Sequence, residues 1–470
     1  MFSRILLPLL FVSTSALASY QSAEGIYGKG SISLSGYRRT IIEMVDSGYY
    51  FSVVPWMKDY LVKNNSTLDA GLEEAFDNII SATGVKPFET LPENVLKRSR
   101  SGNVHYILAK RLLKTNRYQD ALSELSKVKA DHSAYPFVSN MKGTLLSFLG
   151  NHKEAQLQFK DCVRYSEKRM GSSKSKLKDK QLEVNKDNCL AGIARSQFAG
   201  QDFKKSELSY LDIQKSSLVW PEILFEEAWT SYYEKNYNRT LGKLISYRAP
   251  VFDFIFKPEI DVLKALTYLK MCLYDDARKT VDEFYSSNLN PSRDLRSFLN
   301  GRGKDYRYYY TLMADHEAMK SSPLPIVDSI LKSVRKDSAY SEMKGALAMA
   351  MGEYNLLRKQ RNSGFKANLV RNIKTVMDEY RTLIGAYVRA GLVSKYAELY
   401  NAFQGMSYIK LEVLAQRKER LYQTDVPNAS GKRGDVKYIE RNDKQYFWTF
   451  NGEFWADELG DYVFALRSEC

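Results

Sequence analysis

Few side chains in this sequence are placed to do chemistry. Four histidines, His105, His132, His152 and His316, stand at no spacing that would pair them with a cysteine or carboxylate as metal ligands. No glycine-rich phosphate loop, G-x-S-x-G elbow or H-E-x-x-H pair occurs. The nearest acidic couple, Asp457-Glu458, is embedded in an aromatic C-terminal stretch and reads as structural, not as a general acid and base. The pattern points away from an enzyme and calls for neither a cofactor nor a metal. Two residue classes remain. Four cysteines, Cys162, Cys189, Cys272 and Cys470, can crosslink, and 33 tyrosines among 470 residues can pack or bind.

The compartment follows from the first residues. Arg4 supplies a positive start, Ile5 to Val12 a short apolar run, and Ala16-Leu17-Ala18 an A-x-A cleavage site. This is a secretory signal peptide spanning 1–18, cut after Ala18 to leave Ser19, with no cysteine following to take a lipid. No later stretch approaches eighteen apolar residues, so no transmembrane segment is expected after cleavage. The expected location is periplasmic or secreted, an oxidising space in which disulfides persist. The formal charge of +14 suits nucleic acid, anionic lipid or acidic wall polymer. Export excludes nucleic acid, and the charge is dispersed, which fits a solvated surface.

The positioning elements declare themselves by repetition. Tyr106 to Ala121 aligns with Asn140 to Ala155, and the two alanines lie 34 residues apart (155 − 121). Ala109 and Gly143 are small where a first helix crosses its own second helix. Ala121 and Ala155 open the face of the second helix. Tyr118 and His152 are bulky at the turn, while Leu125 and Phe159 fill the large second-helix position. Three further units carry the same marks: Ala194, Phe203, Ser206, Tyr210; then Ala228, Tyr237, Thr240, Leu244; then Ala265, Tyr274, Ala277, Val281. A degenerate unit, with Ile41, Gly48-Tyr49-Tyr50, Val53 and Met57, precedes them. A 34-residue helical hairpin is the period of the tetratricopeptide repeat (TPR). The fold class predicted is all-α: a TPR-type right-handed superhelical solenoid with extra C-terminal helices and a small C-terminal β-hairpin and helix tail.

The predicted organisation is a leader at 1–18, N-terminal helices at 36–100 and a repeat array at 101–290. A basic, serine-rich insertion at 168–186 interrupts the array as a mobile loop or a frayed helix end. A helical extension covers 291–422, with Gly391 and Gly405 marking bends. A linker at 423–435 leads to an aromatic tail at 436–470, in which Tyr438-Ile439 and Tyr446 to Phe450 are expected to pair as a hairpin. In this register Cys162 sits late in one second helix and Cys189 early in the next first helix. Stacked repeats would bring them within bridging range. A Cys272–Cys470 bond would tie the tail to the fifth repeat.

A curved repeat array lines its inner face with the first helix of each pair. The inward positions are Tyr106 and Lys110, Asn140, Arg195 and Phe198, and Trp229, Tyr232 and Tyr233. Aromatic and arginine anchors of this kind make protein-binding hot spots.

The repeat wording, the Pro258-Glu259 opening with Cys272 to Arg278, and the tail Gly452-Glu-Phe-Trp-Ala-Asp-Glu-Leu-Gly-Asp-Tyr462 resemble a group of exported bacterial TPR proteins. That group includes the periplasmic proteins associated with myxobacterial gliding motility. The resemblance implies a non-enzymatic scaffold or adaptor in a cell-envelope complex, beside a motility or transport motor, with other envelope proteins as partners. It carries over no catalytic residue. The basic insertion and the late fifth repeat depart from the pattern and leave a motility role open. The alternative reading is a module that binds peptidoglycan or another anionic surface, touching wall or membrane peripherally.

Overall fold

Helix follows helix as far as Tyr422 in this computed structural model, which describes residues 14–27, 33–171, 176–320, 322–422, 439, 443 and 446–470. Residues 1–13, most of the expected leader, together with the expected linker at 423–435 and Tyr438, lie outside the described residues. The first helices are α1 (Thr14–Tyr27), α2 (Leu34–Asp46), α3 (Val54–Lys63), α4 (Ala70–Thr83) and α5 (Glu93–Leu96). Then come α6 (Gly102–Lys114), α7 (Tyr118–Ser126), α8 (Tyr135–Phe148), α9 (His152–Arg169), α10 (Lys176–Ala199) and α11 (Phe203–Tyr210). They are followed by α12 (Trp220–Tyr233), α13 (Tyr237–Ile245), α14 (Glu259–Lys270) and α15 (Tyr274–Arg302). The last are α16 (Tyr306–Glu317), α17 (Pro325–Lys336), α18 (Ser338–Lys359) and α19 (Gly364–Tyr422). The fold is all-α. It divides into two compact units, one formed by Met1–Val138 with Glu342–Thr382, the other by Ser139–Ser341 with Leu383–Cys470.

Five helix ends are built alike. Asn116, Gly150, Gln201, Lys235 and Cys272 each take a positive φ of 55–78°. The N–H of the residue after each reaches back five residues, all at 2.9 Å: Arg117 to Leu112, Asn151 to Leu146, Asp202 to Gln197, Asn236 to Ser231, Leu273 to Tyr268. This is the Schellman ending, which satisfies carbonyls the helix leaves open. Those next residues have φ between −92° and −83° and ψ between 63° and 70°, and the following helix starts one position on. Only one of the five left-handed residues is glycine. The others accept roughly 1–2 kcal/mol of strain, so packing between the two helices must fix the turn.

That packing uses the repeated positions. Ala109, Ala121 and Leu125 are buried in the first unit; Ala155, Ala194, Tyr210, Ala228, Leu244, Ala265, Ala277 and Val281 are buried in the second. Within the pairs, α6 packs on α7, α10 on α11, α12 on α13 and α14 on α15. Glycine is required twice around one ring. A Cβ on Gly143 would come within 2.7 Å of the Phe159 ring, and one on Gly192 within 2.6 Å, so α8 and α10 both close onto that side chain of α9.

Cys162 and Cys189 form a disulfide with a Cα–Cα distance of 6.2 Å. They sit in a buried cluster with Ala155, Phe159 and Ile193. The bond closes a loop of 27 residues in sequence. Replacing both cysteines by serine is expected to cost roughly 3 kcal/mol in urea unfolding, mainly by freeing the unfolded chain.

Several details differ from expectation. Most of the described basic insertion is helical: α9 runs to Arg169, Met170 and Gly171 form a turn, and α10 begins at Lys176. The reason lies on one face of α10, where Leu182, Asn185 and Cys189 are buried, and the Asn185 amide donates to Ser166 Oγ at 3.1 Å. Residues 172–175 lie outside the described residues. α15 continues through Pro291 to Arg302. Gly391 and Gly405, in keeping with expectation, end no helix: both lie inside α19, one helix of 59 residues. These glycines serve close approach: a Cβ there would meet Val334 at 2.8 Å and Val262 at 3.0 Å.

The tail carries no strand or helix among its described residues; 446–450 take no regular structure, and 456–461 form turns. Beyond them the backbone bonds to a helix and not to a second strand, the Phe464 N–H reaching the Asn238 carbonyl at 3.0 Å. The ring-rich end is packed only in part: Tyr446, Trp448, Phe450 and Trp455 are exposed, and the packing centres on Leu459. Leu459 is buried against Trp220, Leu224, Ala249 and Phe252, with Phe454 and Tyr462 beside it.

Candidate partner-binding site

The repeated turn determines which side chains meet. A Schellman ending sets the last turn of one helix against the first turn of the next, and neighbouring pairs place these junctions side by side. Phe198 near the end of α10 thus meets Phe203 at the start of α11, ring centroids 5.2 Å apart. Tyr233 at the end of α12 lies 5.4 Å from Phe198 and stacks on Phe203 at 5.2 Å, with planes 14° apart. Trp229 adds a contact to Tyr233 at 6.0 Å and an edge contact to Tyr232 at 5.5 Å. Tyr232 reaches Tyr237, the first residue of α13, at 5.6 Å.

Four of the eight positions expected on an inner face, Phe198, Trp229, Tyr232 and Tyr233, form one aromatic cluster in the second unit. It presents rings to solvent: Tyr233 is 51% exposed, and Phe198, Trp229 and Tyr232 are half-buried. Burial pushes the Tyr232 hydroxyl up to about 12, helped by Tyr237 and Tyr233, so it stays protonated at neutral pH and can donate. Nearby, burial and then the Glu207 carboxylate raise the Glu234 carboxyl above its ordinary range.

The other four positions are engaged within the protein. Arg195 holds Glu226 with two hydrogen bonds of 2.7 Å, and Glu226 also accepts the Tyr210 hydroxyl at 2.9 Å. Its guanidinium is thus a strut between helices and not a spare anchor. Asn140 donates its amide to Asn185 at 2.9 Å. In the first unit Lys110 pairs with Glu89 at 2.6 Å, and its ammonium lies 5.9 Å from the centre of the half-buried Tyr106 ring. Burial raises the Tyr106 hydroxyl, with the carboxylates of Glu342 and Glu89 adding to it.

Sequence reasoning missed Phe203 and Tyr237 as surface contributors. Both were assigned to the turn as packing residues. The available signal was that bulky turn residues of adjacent repeats recur 34 positions apart (237 − 203), beside the aromatic end of each first helix.

Among the described residues no three histidines, cysteines or carboxylates gather as a metal group, and no helix is long and apolar enough to cross a membrane. Compared with known proteins, the chain matches no family model, and no curated protein is detectably similar to it.

Proposed function

We propose that this protein is a TPR-type scaffold of the cell envelope that acts by holding protein partners, with the aromatic cluster of α10–α13 as its docking surface. The observation that carries the reading is the ring cluster of Phe198, Phe203, Trp229, Tyr232 and Tyr233, part exposed on a rigid helical frame. Rigid aromatic anchors bind at low entropic cost and dominate interface energetics. The five identical helix endings and the 34-residue spacing support the repeat class, and in that class the second unit would curve as a right-handed superhelix. An exported location, the Ala18 cleavage and a place beside a motility or transport motor belong to the same proposal.

The test starts from co-purification of tagged protein from its own envelope to obtain a partner, followed by titration of that partner against wild type and Trp229→Ala/Tyr233→Ala. The double variant is expected to weaken binding by more than about 2 kcal/mol and to leave the thermal melt within a few degrees. Binding undiminished in a folded double variant overturns the site. Binding that instead fades steeply with salt in wild type and variant alike points to charge-driven attachment to an anionic surface.

A further inference from the structure

The second unit holds residues 457–470 of its own chain as it would hold a ligand. Leu459 fills a pocket of Trp220, Leu224, Ala249 and Phe252. Gly460, at φ +88°, donates its N–H to Ser246 Oγ at 2.9 Å. The Lys215 ammonium donates to the Asp457 carbonyl at 2.5 Å and the Asp461 carboxylate at 2.8 Å. The Tyr462 carbonyl lies so close over Gly242 of α13 that a Cβ there would come within 1.6 Å of its oxygen.

From Phe464 onward recognition is backbone-directed. The Asn238 side chain takes both backbone groups of Leu466, donating to its carbonyl at 3.1 Å and accepting its N–H at 3.0 Å. The Glu469 N–H reaches the Met271 carbonyl at 2.9 Å. Main-chain bonds supply grip and one side-chain pocket supplies selectivity, as in other modes of extended-peptide recognition. The charges are complementary too. Residues 446–470 carry Glu453, Asp457, Glu458, Asp461 and Glu469 against Arg467 alone, within a chain of net charge +14.

The segment ends in a crosslink, Cys272–Cys470, with Cα atoms 5.3 Å apart. The two disulfides differ in access. Cys162 and Cys189 are fully buried, whereas Cys470 is exposed. A thiolate of a dithiol reductant can attack the Cys470 sulfur and release the Cys272 thiolate, which takes up a proton. The reductant's second thiol then displaces Cys470 as a thiol. Two electrons pass to the protein, leaving two cysteine thiols and an oxidised, disulfide-bonded reductant.

We propose that the face formed by α12, α13 and the turn at Met271-Cys272 is a docking site for an acidic peptide bearing a leucine, occupied in cis by residues 457–470 and opened by reduction of Cys272–Cys470. The tethered segment competes at an effective concentration in the millimolar range, so the crosslink turns weak competition into exclusion. The site is separate from the aromatic cluster, and its failure leaves that reading untouched.

A fluorescein-labelled peptide of residues 456–470 carrying Cys470→Ser is the probe, titrated by anisotropy into three proteins. These are the oxidised full-length chain, a Leu459→Asp/Cys470→Ser variant whose own segment is disarmed, and the latter with Gly242→Ala added. Binding to the disarmed protein is expected to be at least about tenfold tighter than to the oxidised chain. Gly242→Ala should abolish it, although alanine favours the helix, and so should Leu459→Asp placed in the probe. Wild type treated with a dithiol, under conditions where peptide mapping shows Cys162–Cys189 intact, should fall between the two. Equal binding to the oxidised and disarmed proteins overturns the proposal, as does no binding to a disarmed protein that melts like wild type. Should the disarmed protein melt early, the reduced wild type decides by the same criteria.

Discussion

Glu353→Ala should unfasten the first unit, at a cost of about 3–5 kcal/mol, the largest loss expected from a single truncation there. The Glu353 carboxylate, buried on α18, accepts the N–H groups of three consecutive residues: Tyr50 and Phe51 at 2.9 Å on one oxygen, Ser52 at 2.8 Å on the other. These residues sit between α2 and α3, where the backbone has no helical partner for its N–H groups, and the Asn372 amide caps the Ser52 carbonyl at 3.0 Å. Alanine strands all three donors away from water. Glutamine keeps one oxygen for Tyr50 and Phe51 but sets an NH₂ group against the Ser52 N–H, so it should cost less than half as much. Amide exchange at 50–52 is the direct readout, expected to speed up at least about a hundredfold in the alanine variant. Unchanged protection there would show that water or another group replaces the carboxylate.

The same residue gives a pH dependence of definite sign. Burial raises the Glu353 carboxyl, and the hydrogen bonds from Ser52, Phe51 and Tyr50 only partly offset this. The folded state therefore binds its proton more tightly than the unfolded state does. This contribution to stability is fully present below the ordinary glutamate range and is lost as pH rises through the raised folded value. In Glu353→Gln that slope should vanish.

These bonds also show why part of the molecule escaped a reading from sequence. The repeat register was legible because its physics is local. A helix pair must close over small residues, and Ala109, Gly143, Ala155 and Ala228 recur where sterics demand them. The neighbourhood of Cys162 and Cys189 follows from the same register. By contrast, Glu353 and Ser52 are 301 positions apart, and so distant a pairing leaves no periodic trace. The Tyr380 hydroxyl, which donates to the Thr83 carbonyl, is a second case. Four of the five left-handed turn residues are not glycine, so the shared ending gave no compositional signal. In the tail, Tyr446 to Phe450 alternates like a strand, yet alternation records only that a chain is extended, not what it pairs with. The candidate site was partly legible: aromatic type located the ring cluster, whereas Arg195 and Asn140 were donors whose acceptors, Glu226 and Asn185, lay outside the local pattern.

Lys243→Ala is expected to destabilise the second unit by about 3–5 kcal/mol, whereas Lys243→Met combined with Glu227→Leu is expected to be neutral or stabilising by about 1–4 kcal/mol. Lys243 on α13 and Glu227 on α12 form an ion pair at 2.6 Å with only 7% and 6% of their side chains exposed, joining the two helices of one pair. Both charges have left water, and their attraction roughly repays that cost while both are present. Alanine at 243 removes the cation and leaves the Glu227 carboxylate buried without a counter-charge. The aliphatic pair removes both desolvation costs and fills similar volume. Glu207 lies 4.0 Å from the Lys243 ammonium but is more exposed, so water can solvate it once the cation is gone. A double-mutant cycle in urea, with each variant's melt followed by circular dichroism, measures the coupling. A cost below about 1 kcal/mol for Lys243→Ala would mean that the carboxylate rotates to solvent. The double variant falling as far as the single one would show instead that the charges are needed to align α12 with α13. That outcome would tie the pair directly to the placement of Trp229, Tyr232 and Tyr233, since all three side chains ride on the last two turns of α12.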